Sequence, residues 1–292
     1  MNFNLKKTNF NYHRHGWKAA TEILEKFHDP KSEITLFDWA DREFKHKNII
    51  TKPWVGFLHN AMTYPKNEKY VNKILCLRDL VKQDYFLKSC ESCKGIFTLS
   101  KITASFLERN IDVPITNLYH PIKDVNLKFD FSKFLQNPTV LHIGQWLRNY
   151  ESFSKLNYTK KLLIRTKGIH DEIPNVESIE YVDNQSYDEL LSRSIVFLDL
   201  YDSAACNTLL ECIVRNTPIV INPLPATVEY LGPKYPLFYE GLTHASEILQ
   251  NNELIHKAHK YLINMRKTHL NQNSFQMGFS YFFKKWTCKI LY

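Results

Sequence analysis

The stretch from residue 197 to residue 222 reads FLDLYDSAACNTLLECIVRNTPIVIN and decides the fold. An apolar run opens it, a loop of small residues follows, and a helix is predicted to begin at Asn207 or Thr208. Glu211 lies one turn inside that helix, and residues 218–221 form the next apolar run after the break at Pro218. A strand, a helix and a second buried strand in this order are typical of a parallel α/β sheet.

The same pattern extends in both directions along the chain. Short β-branched or aromatic runs alternate with longer amphipathic stretches, so the sequence predicts two successive α/β series of similar length. Each series predicts a Rossmann-like domain, with ligands bound at the carboxyl ends of strands or between the domains. The predicted strands are 34–37, 54–58, 95–99 and 114–118, then 139–143, 162–165, 179–182, 195–198 and 218–221; the main predicted helices are 16–27, 68–89, 101–109, 187–192, 208–214 and 246–265.

Length and charge narrow the class of protein. The chain has 292 residues and a net charge of +8, with 22 Lys and Arg against 15 Asp and Glu in residues 1–135 and 16 against 15 in residues 136–292. The basic first part favours an anionic partner, such as nucleic acid, a phospholipid surface or a phosphorylated glycan, with a merely solubilising surface as the alternative. No apolar run reaches the roughly 20 residues of a membrane span, and no secretory leader is visible, so we expect a cytoplasmic protein without a membrane span.

Several familiar motifs are absent from the sequence. It has eight glycines and neither G-x-G-x-x-G nor a P-loop, which counts against dehydrogenases and P-loop NTPases. It has no D-x-D pair, and the Cys90-x-x-Cys93 and His256-x-x-His259 spacings lack the further ligands of a zinc site. We therefore expect no metal and no cofactor, and we expect a phosphate to bind at the amino terminus of the predicted 208–214 helix.

Residues 209–220, LLECIVRNTPIV, resemble the L-L-E-A-x-A-x-G-T-P-V-V segment of the family 4-like GT-B glycosyltransferases. The resemblance makes Glu211 the second glutamate of the E-x7-E signature, which binds the ribose of a nucleotide-sugar donor. The first glutamate falls at Ser203, where Asp202 is the neighbouring carboxylate that could replace it. Order-consistent similarity covers most of residues 139–240, and the first part of the chain is similar mainly in its architecture.

Further residues take donor-side roles from the same resemblance. The segment from Val140 to Arg148 is similar to the first strand and loop of the family's donor domain, so Gly144 and Arg148 are expected to bind the diphosphate. Arg148 is also a predicted catalytic residue, because a guanidinium can bind phosphate oxygens in a bidentate way. Asn207 and Thr208 complete the predicted donor site with Glu211.

The acceptor side is predicted in the first part of the chain. His15 and Gly16 precede a helix where the family has an acceptor-side loop containing glycine. His59 and Asn60 follow a buried strand; imidazole titrates near neutrality, so His59 is the predicted catalytic group for proton transfer from an acceptor hydroxyl. A structural histidine is the alternative.

The resemblance implies a GT-B architecture: two Rossmann-like domains face a central cleft, and a carboxyl-terminal helix crosses back. The predicted domains are an acceptor-side domain at 1–135, a donor-binding domain at 136–274 and the returning helix at 275–292. The implied enzyme is a hexosyl- or pentosyltransferase of glycan biosynthesis, metal-independent and retaining, with a nucleoside-diphosphate sugar as co-substrate and a glycan or other anionic hydroxyl compound as acceptor.

Two alternative functions stay open at this point. The same fold would glycosylate a modified base if the partner of the basic domain is nucleic acid, or it would bind nucleotide sugar or glycan without turnover. We also expect Glu211→Ala to weaken donor binding while it leaves the fold intact, on the assumption that this carboxylate faces the cleft.

Overall fold

The chain divides into two compact units. In this computed structural model, the structure describes residues 2–8, 17–65, 75–164, 173, 176–180 and 182–290, with side chains to Lys284. Unit 1 consists of Met1–Lys123, Asp202–Ala205 and Lys267–Tyr292, and unit 2 of Asp124–Tyr201 and Cys206–Arg266. The sequence placed the boundary near residue 135, whereas the contacts divide the chain after Lys123.

Unit 1 is built on a parallel sheet of five strands in the order β1-β2-β3-β4-β5. The described elements are β1 (Asn4–Lys6), α1 (Trp17–Leu24), β2 (Thr35–Phe37), β3 (Trp54–Leu58), α2 (Leu77–Leu80), α3 (Asp84–Cys90), β4 (Cys93–Thr98), α4 (Lys101–Glu108) and β5 (Ile115–Asn117), with 3₁₀ turns at Glu25–Phe27 and Ala40–His46. In register, Leu36 lies beside Val55 and Phe57 beside Phe97. All residues of β3 are buried, as expected for a central parallel strand covered on both faces.

Unit 2 is a second parallel sheet of five strands, in the order β10-β9-β6-β7-β8. Its elements are α5 (Phe131–Gln136), β6 (Val140–Ile143), α6 (Tyr150–Lys155), β7 (Lys161–Ile164), β8 (Glu177–Ile179), α7 (Asn184–Arg193), β9 (Ile195–Leu198), α8 (Asn207–Arg215), β10 (Ile219–Ile221), α9 (Pro225–Leu231), α10 (Gly241–Gln250) and α11 (Asn252–Asn264). The strand order reverses between β6 and β9, and in open α/β sheets such a reversal creates a ligand-binding crevice at the carboxyl ends of the two strands.

The terminal helix α12 (Gln272–Ile290) packs within unit 1. Phe275, Phe279 and Phe283 are buried in the same apolar cluster as Trp17 and Phe97. Two glycines permit this close approach: a Cβ at Gly95 would lie 2.1 Å from the Phe282 ring, and one at Gly278 would lie 2.6 Å from Leu118. The aromatic tail therefore completes the core of unit 1.

The predicted fold class, an α/β protein with two parallel sheets, is confirmed. Some local predictions were wrong. The predicted helix 246–265 is two helices, α10 and α11, because the backbone turns at Asn251, whose side chain accepts the Leu254 N–H and begins a new helix. β1 was not predicted, because only three residues with a polar neighbourhood form it. The predicted helix 68–89 lies partly outside the described residues, and its described part is the short helices α2 and α3.

Candidate functional site

The site in unit 2 begins where β6 ends, at the point where the strand order reverses. Gly144 follows the strand with a φ of +88°, a conformation that L side chains rarely adopt. The loop after it is held beside the end of β9, because the Asn149 N–H donates to Asp199 O at 2.9 Å and its side-chain amide donates to the Asp199 carboxylate at 3.0 Å. Tyr150 donates its hydroxyl to Gly144 O at 2.8 Å. This loop is therefore fixed at both ends.

Arg148 lies over the glycine. A Cβ at Gly144 would be 3.5 Å from the Arg148 guanidinium and 3.6 Å from Thr208 Oγ1, so the space that glycine leaves is where these two side chains meet. The guanidinium donates to Trp146 O at 2.9 Å and to Cys206 Sγ at 3.0 Å. Within the part of the chain that the structure describes, no carboxylate forms an ion pair with Arg148.

Helix α8 begins beside this guanidinium. Asn207 is its first residue, Cys206 is the N-cap, and Thr208 donates its hydroxyl to Ile143 O at 3.3 Å, which ties the helix start to the end of β6. The first amides of a helix carry a partial positive charge, and here a full positive charge lies next to them. Gly144, Arg148, Asn207 and Thr208 thus converge on one region whose electrostatic potential favours an anion.

Glu211 lies one turn further along α8, and its surroundings differ from the expectation. The residue is only 3% exposed. Its carboxylate pairs with the guanidinium of Arg215, which is itself fully buried and also pairs with Asp188 of α7. The two carboxylates raise the pKa of Arg215 against the opposing effect of burial. The expectation that Glu211→Ala leaves the fold intact was therefore wrong, because the carboxylate belongs to a buried charge cluster that joins α7 to α8.

His142 is a buried residue near this site that the sequence reading missed. It sits in the middle of β6 with no exposed surface, against the rings of Tyr150 and Phe153. Burial, with the nearby Arg148 charge, lowers its pKa to about 3, so the ring is neutral at physiological pH. The signal was present in the sequence as one polar residue in an otherwise apolar strand.

Unit 1 places the predicted acceptor-side residues His59 and Asn60 directly after β3. The backbone N–H groups of both donate to the carboxylate of Asp41, at 2.7 and 3.3 Å. His59 Nε2 lies 2.8 Å from Asp38 O, and because a carbonyl only accepts, the neutral imidazole carries its proton on Nε2. Nδ1 is therefore the ring nitrogen that can take up a proton.

Two buried carboxylates support this turn. Asp38 accepts the N–H and hydroxyl of Thr8, and Asp41 holds the turn at His59. Burial raises the pKa of Asp38, and it raises the pKa of Asp41 to about 7. The sequence reading missed both, although they stand in a D-W-A-D run directly after a predicted strand.

Aromatic rings surround the histidine. The Trp17 ring lies edge-on to His59 with centroids 4.1 Å apart, and Trp39 and His120 have ring centroids 5.3 and 6.2 Å from it. Arg42 lies over the Trp39 ring at 5.2 Å. Such rings can stack against the apolar face of a sugar, so this cluster is chemically suited to a polyhydroxyl compound.

Several predicted or considered residues lie elsewhere. His15 and Gly16 are outside the described residues. Asp202, the carboxylate considered in place of the missing glutamate, accepts the N–H and hydroxyl of Thr63, both at 2.8 Å, inside unit 1. Among the described residues, no group of three His, Cys, Asp or Glu is arranged to hold a metal ion.

Comparisons with known proteins bear on the fold. No protein-family model and no curated protein matches the sequence. Solved structures do match. They include *S. aureus* TarM bound to fondaparinux, α-GlcNAc-glycerol and UDP, with 15% identity over 86% of this chain and 55% of that one (TM-score 0.62).

Two further structural neighbours are sucrose-phosphate synthase from *Thermosynechococcus elongatus*, with 8% identity over 94% of this chain and 77% of that one (TM-score 0.65), and *Anabaena* HepE bound to UDP and glucose, with 10% identity over 91% and 80% (TM-score 0.61). All three are GT-B glycosyltransferases, so the chain has the GT-B fold. It spans about half the length of TarM.

Proposed function

We propose that the chain is a glycosyltransferase that transfers a sugar from a nucleoside-diphosphate sugar to a hydroxyl group, and that unit 2 binds the donor. The observation that carries this proposal is the convergence of Gly144, Arg148 and Thr208 at the reversal of strand order. TarM and HepE were each solved with UDP, which supports a uridine nucleotide as the donor's leaving group.

In this proposal the donor diphosphate lies against the first amides of α8 and the Arg148 guanidinium. Transfer breaks the bond between the anomeric carbon and the diphosphate oxygen and forms one between that carbon and the acceptor oxygen. Negative charge develops on the departing diphosphate, and the fixed positive groups stabilise it without reorganising. They replace a metal ion in this role, so transfer is metal-independent. The anomeric configuration is retained, as the resemblance implies.

The acceptor side belongs to unit 1. His59 takes up the proton of the acceptor hydroxyl on Nδ1, while its Nε2–H stays hydrogen-bonded to Asp38 O. The turn that carries His59 is held by Asp41, so the position of the imidazole depends on a buried carboxylate. The acceptor is a glycan or another hydroxyl compound that stacks on Trp17 and Trp39.

The test is a thermal-shift titration with UDP, GDP, ADP and CDP and their sugars, in the presence of a chelator. A ligand that binds only the folded protein raises its melting temperature, and saturating ligand at about 100 times Kd contributes roughly 2.7 kcal/mol. We expect one nucleotide family to raise the melting temperature of the wild type by several degrees. Arg148→Met is expected to abolish the shift relative to its own ligand-free value.

Arg193→Met is the matched control. Arg193 is an exposed arginine at the end of α7 in the same unit, and its loss removes an equal charge. This variant is expected to keep the shift. If no nucleotide stabilises the wild type, or if both variants lose the shift equally, the assignment of the donor site is overturned.

A second candidate function is nucleotide-sugar binding without turnover. Two observations favour it: Ser203 stands where the resemblance expects a glutamate, and the Glu211 carboxylate is paired with Arg215. Release of UDP from UDP-sugars, followed with and without hydroxyl acceptors, separates the two. Nucleotide binding with no release under any condition favours the binding protein.

A further inference from the structure

The outer face of α12 carries exposed apolar side chains in a row. Met277 is 71% exposed and Tyr281 is 67% exposed, one helical turn apart. Asn273 and Lys284 continue the same row at the spacing of one helix face, and these residues line one shallow depression together with Gln276 and Ser280. The opposite face holds Phe275, Phe279 and Phe283 in the core of unit 1.

Cations flank this row on both sides. The side chain of Lys26, from the turn after α1, donates to Gln276 at 3.3 Å, and Lys284 lies at the other end of the depression. Residues 267–292 contain four lysines and no acidic residue. The apolar pair is thus set in a surface of one charge sign, and no carboxylate lines the depression.

The charge of the whole unit points the same way. Unit 1 contains 24 Lys and Arg against 14 Asp and Glu, a net charge of +10, whereas unit 2 contains 14 against 16, a net charge of −2. A chain with so uneven a charge is oriented by an anionic surface, because each lysine near such a surface contributes about 1 kcal/mol. No helix among the described residues is long and apolar enough to cross a membrane.

We propose that the outer face of α12 docks unit 1 on an anionic phospholipid surface. Met277 and Tyr281 enter the boundary between headgroups and acyl chains, while Lys26 and Lys284 lie at the phosphates, the arrangement of a helix that rests in the plane of a membrane. Lipid is favoured over nucleic acid because a buried methionine gains free energy from an acyl environment and gains little from a phosphate backbone. This proposal does not depend on sugar transfer.

The experiment is co-sedimentation of the full chain with vesicles of phosphatidylglycerol and phosphatidylcholine in equal parts, and with vesicles of phosphatidylcholine alone. We expect binding to the anionic vesicles only, and weaker binding as salt is raised. The double variant Met277→Ser/Tyr281→Ser is expected to bind at least tenfold more weakly, and Lys284→Ala about fivefold more weakly, the equivalent of one lysine at the surface.

Ile263→Ser is the matched control, because Ile263 is 51% exposed on α11 in unit 2 and lies outside the docking face. It is expected to bind the vesicles as the wild type does. The substituted side chains are exposed, so melting temperatures should agree with the wild type and show that each variant is folded. Equal vesicle binding by the wild type and the double variant, or none by the wild type, overturns the proposal. So does binding to a duplex oligonucleotide that the double variant loses, which would assign the face to nucleic acid.

Discussion

The Arg215 guanidinium, fully buried, pairs with the carboxylate of Glu211 one turn earlier on the same helix. Its other branch pairs with Asp188 of α7. The residue that resemblance assigns to ribose binding is therefore also part of the interior charge balance of unit 2. Any substitution at Glu211 changes packing and the proposed donor site together, and experiments on the donor site have to separate the two effects.

Arg215→Met should destabilise unit 2 by about 3–5 kcal/mol, because it leaves the buried Glu211 carboxylate without its partner. Urea unfolding followed by circular dichroism measures the change. The double variant Glu211→Gln/Arg215→Met should recover much of the loss, since it removes the isolated charge. A loss below about 1 kcal/mol in the single variant would show that the pair is not a structural requirement.

His142→Leu should make the protein more resistant to acid. The pKa of His142 is lowered to about 3 in the folded chain, so the unfolded chain binds an extra proton as pH falls below about 6.5, and stability is lost through that range. Between pH 7 and pH 5 this costs the wild type about 2 kcal/mol. The leucine variant lacks this loss, and denaturant titrations at both pH values test it. An unchanged pH dependence would contradict the neutral, buried histidine.

Asp41→Asn should change the pH dependence in the opposite direction. The pKa of Asp41 is raised to about 7, so the folded chain holds a proton that the unfolded chain loses near pH 4. The stability from this group is complete below about pH 4 and is lost as pH rises through 7, by about 3 kcal/mol between pH 4.5 and 7.5. The difference in melting temperature between wild type and variant should therefore shift towards the variant as pH rises. A constant difference would show that Asp41 titrates normally.

Gly95→Ala should destabilise unit 1 by about 1–3 kcal/mol, because its Cβ would lie 2.1 Å from the Phe282 ring, which packs against Phe97. Adding Phe282→Ala should relieve the overlap, so the two substitutions together should cost less than their sum. Gly241→Ala is a useful comparison: no atom lies within 4 Å, and only its φ of +82° opposes the alanine. Additive costs at Gly95 and Phe282 would contradict the close contact.

Much of the fold followed from local patterns. The 195–198 and 218–221 runs became β9 and β10, and the helix predicted to start at Asn207 or Thr208 does start at Asn207. These predictions held because a strand covered on both faces must be continuously apolar, and a helix must follow where periodicity changes. The split between α10 and α11 was missed because it depends on one asparagine side chain accepting a backbone N–H.

The site was only partly accessible in the same way. Gly144, Arg148 and Thr208 are separated by up to 64 residues, and the sequence assigned them to one site through resemblance alone; their convergence depends on β6 and β9 being neighbours in the sheet. Asp38 and Asp41 were overlooked because nothing local marks a carboxylate as buried.

The sequence by itself determined the α/β class, the two series of strands and the start of α8, because these depend on hydrophobic periodicity and on helix signals between near neighbours. Tertiary structure alone decided that Glu211 pairs with Arg215 and Asp188, that Asp41 holds the turn at His59, and that Met277 and Tyr281 stay outside the core. Burial and charge pairing depend on which distant segments pack together, and the cost of removing a charge from water is set by that packing.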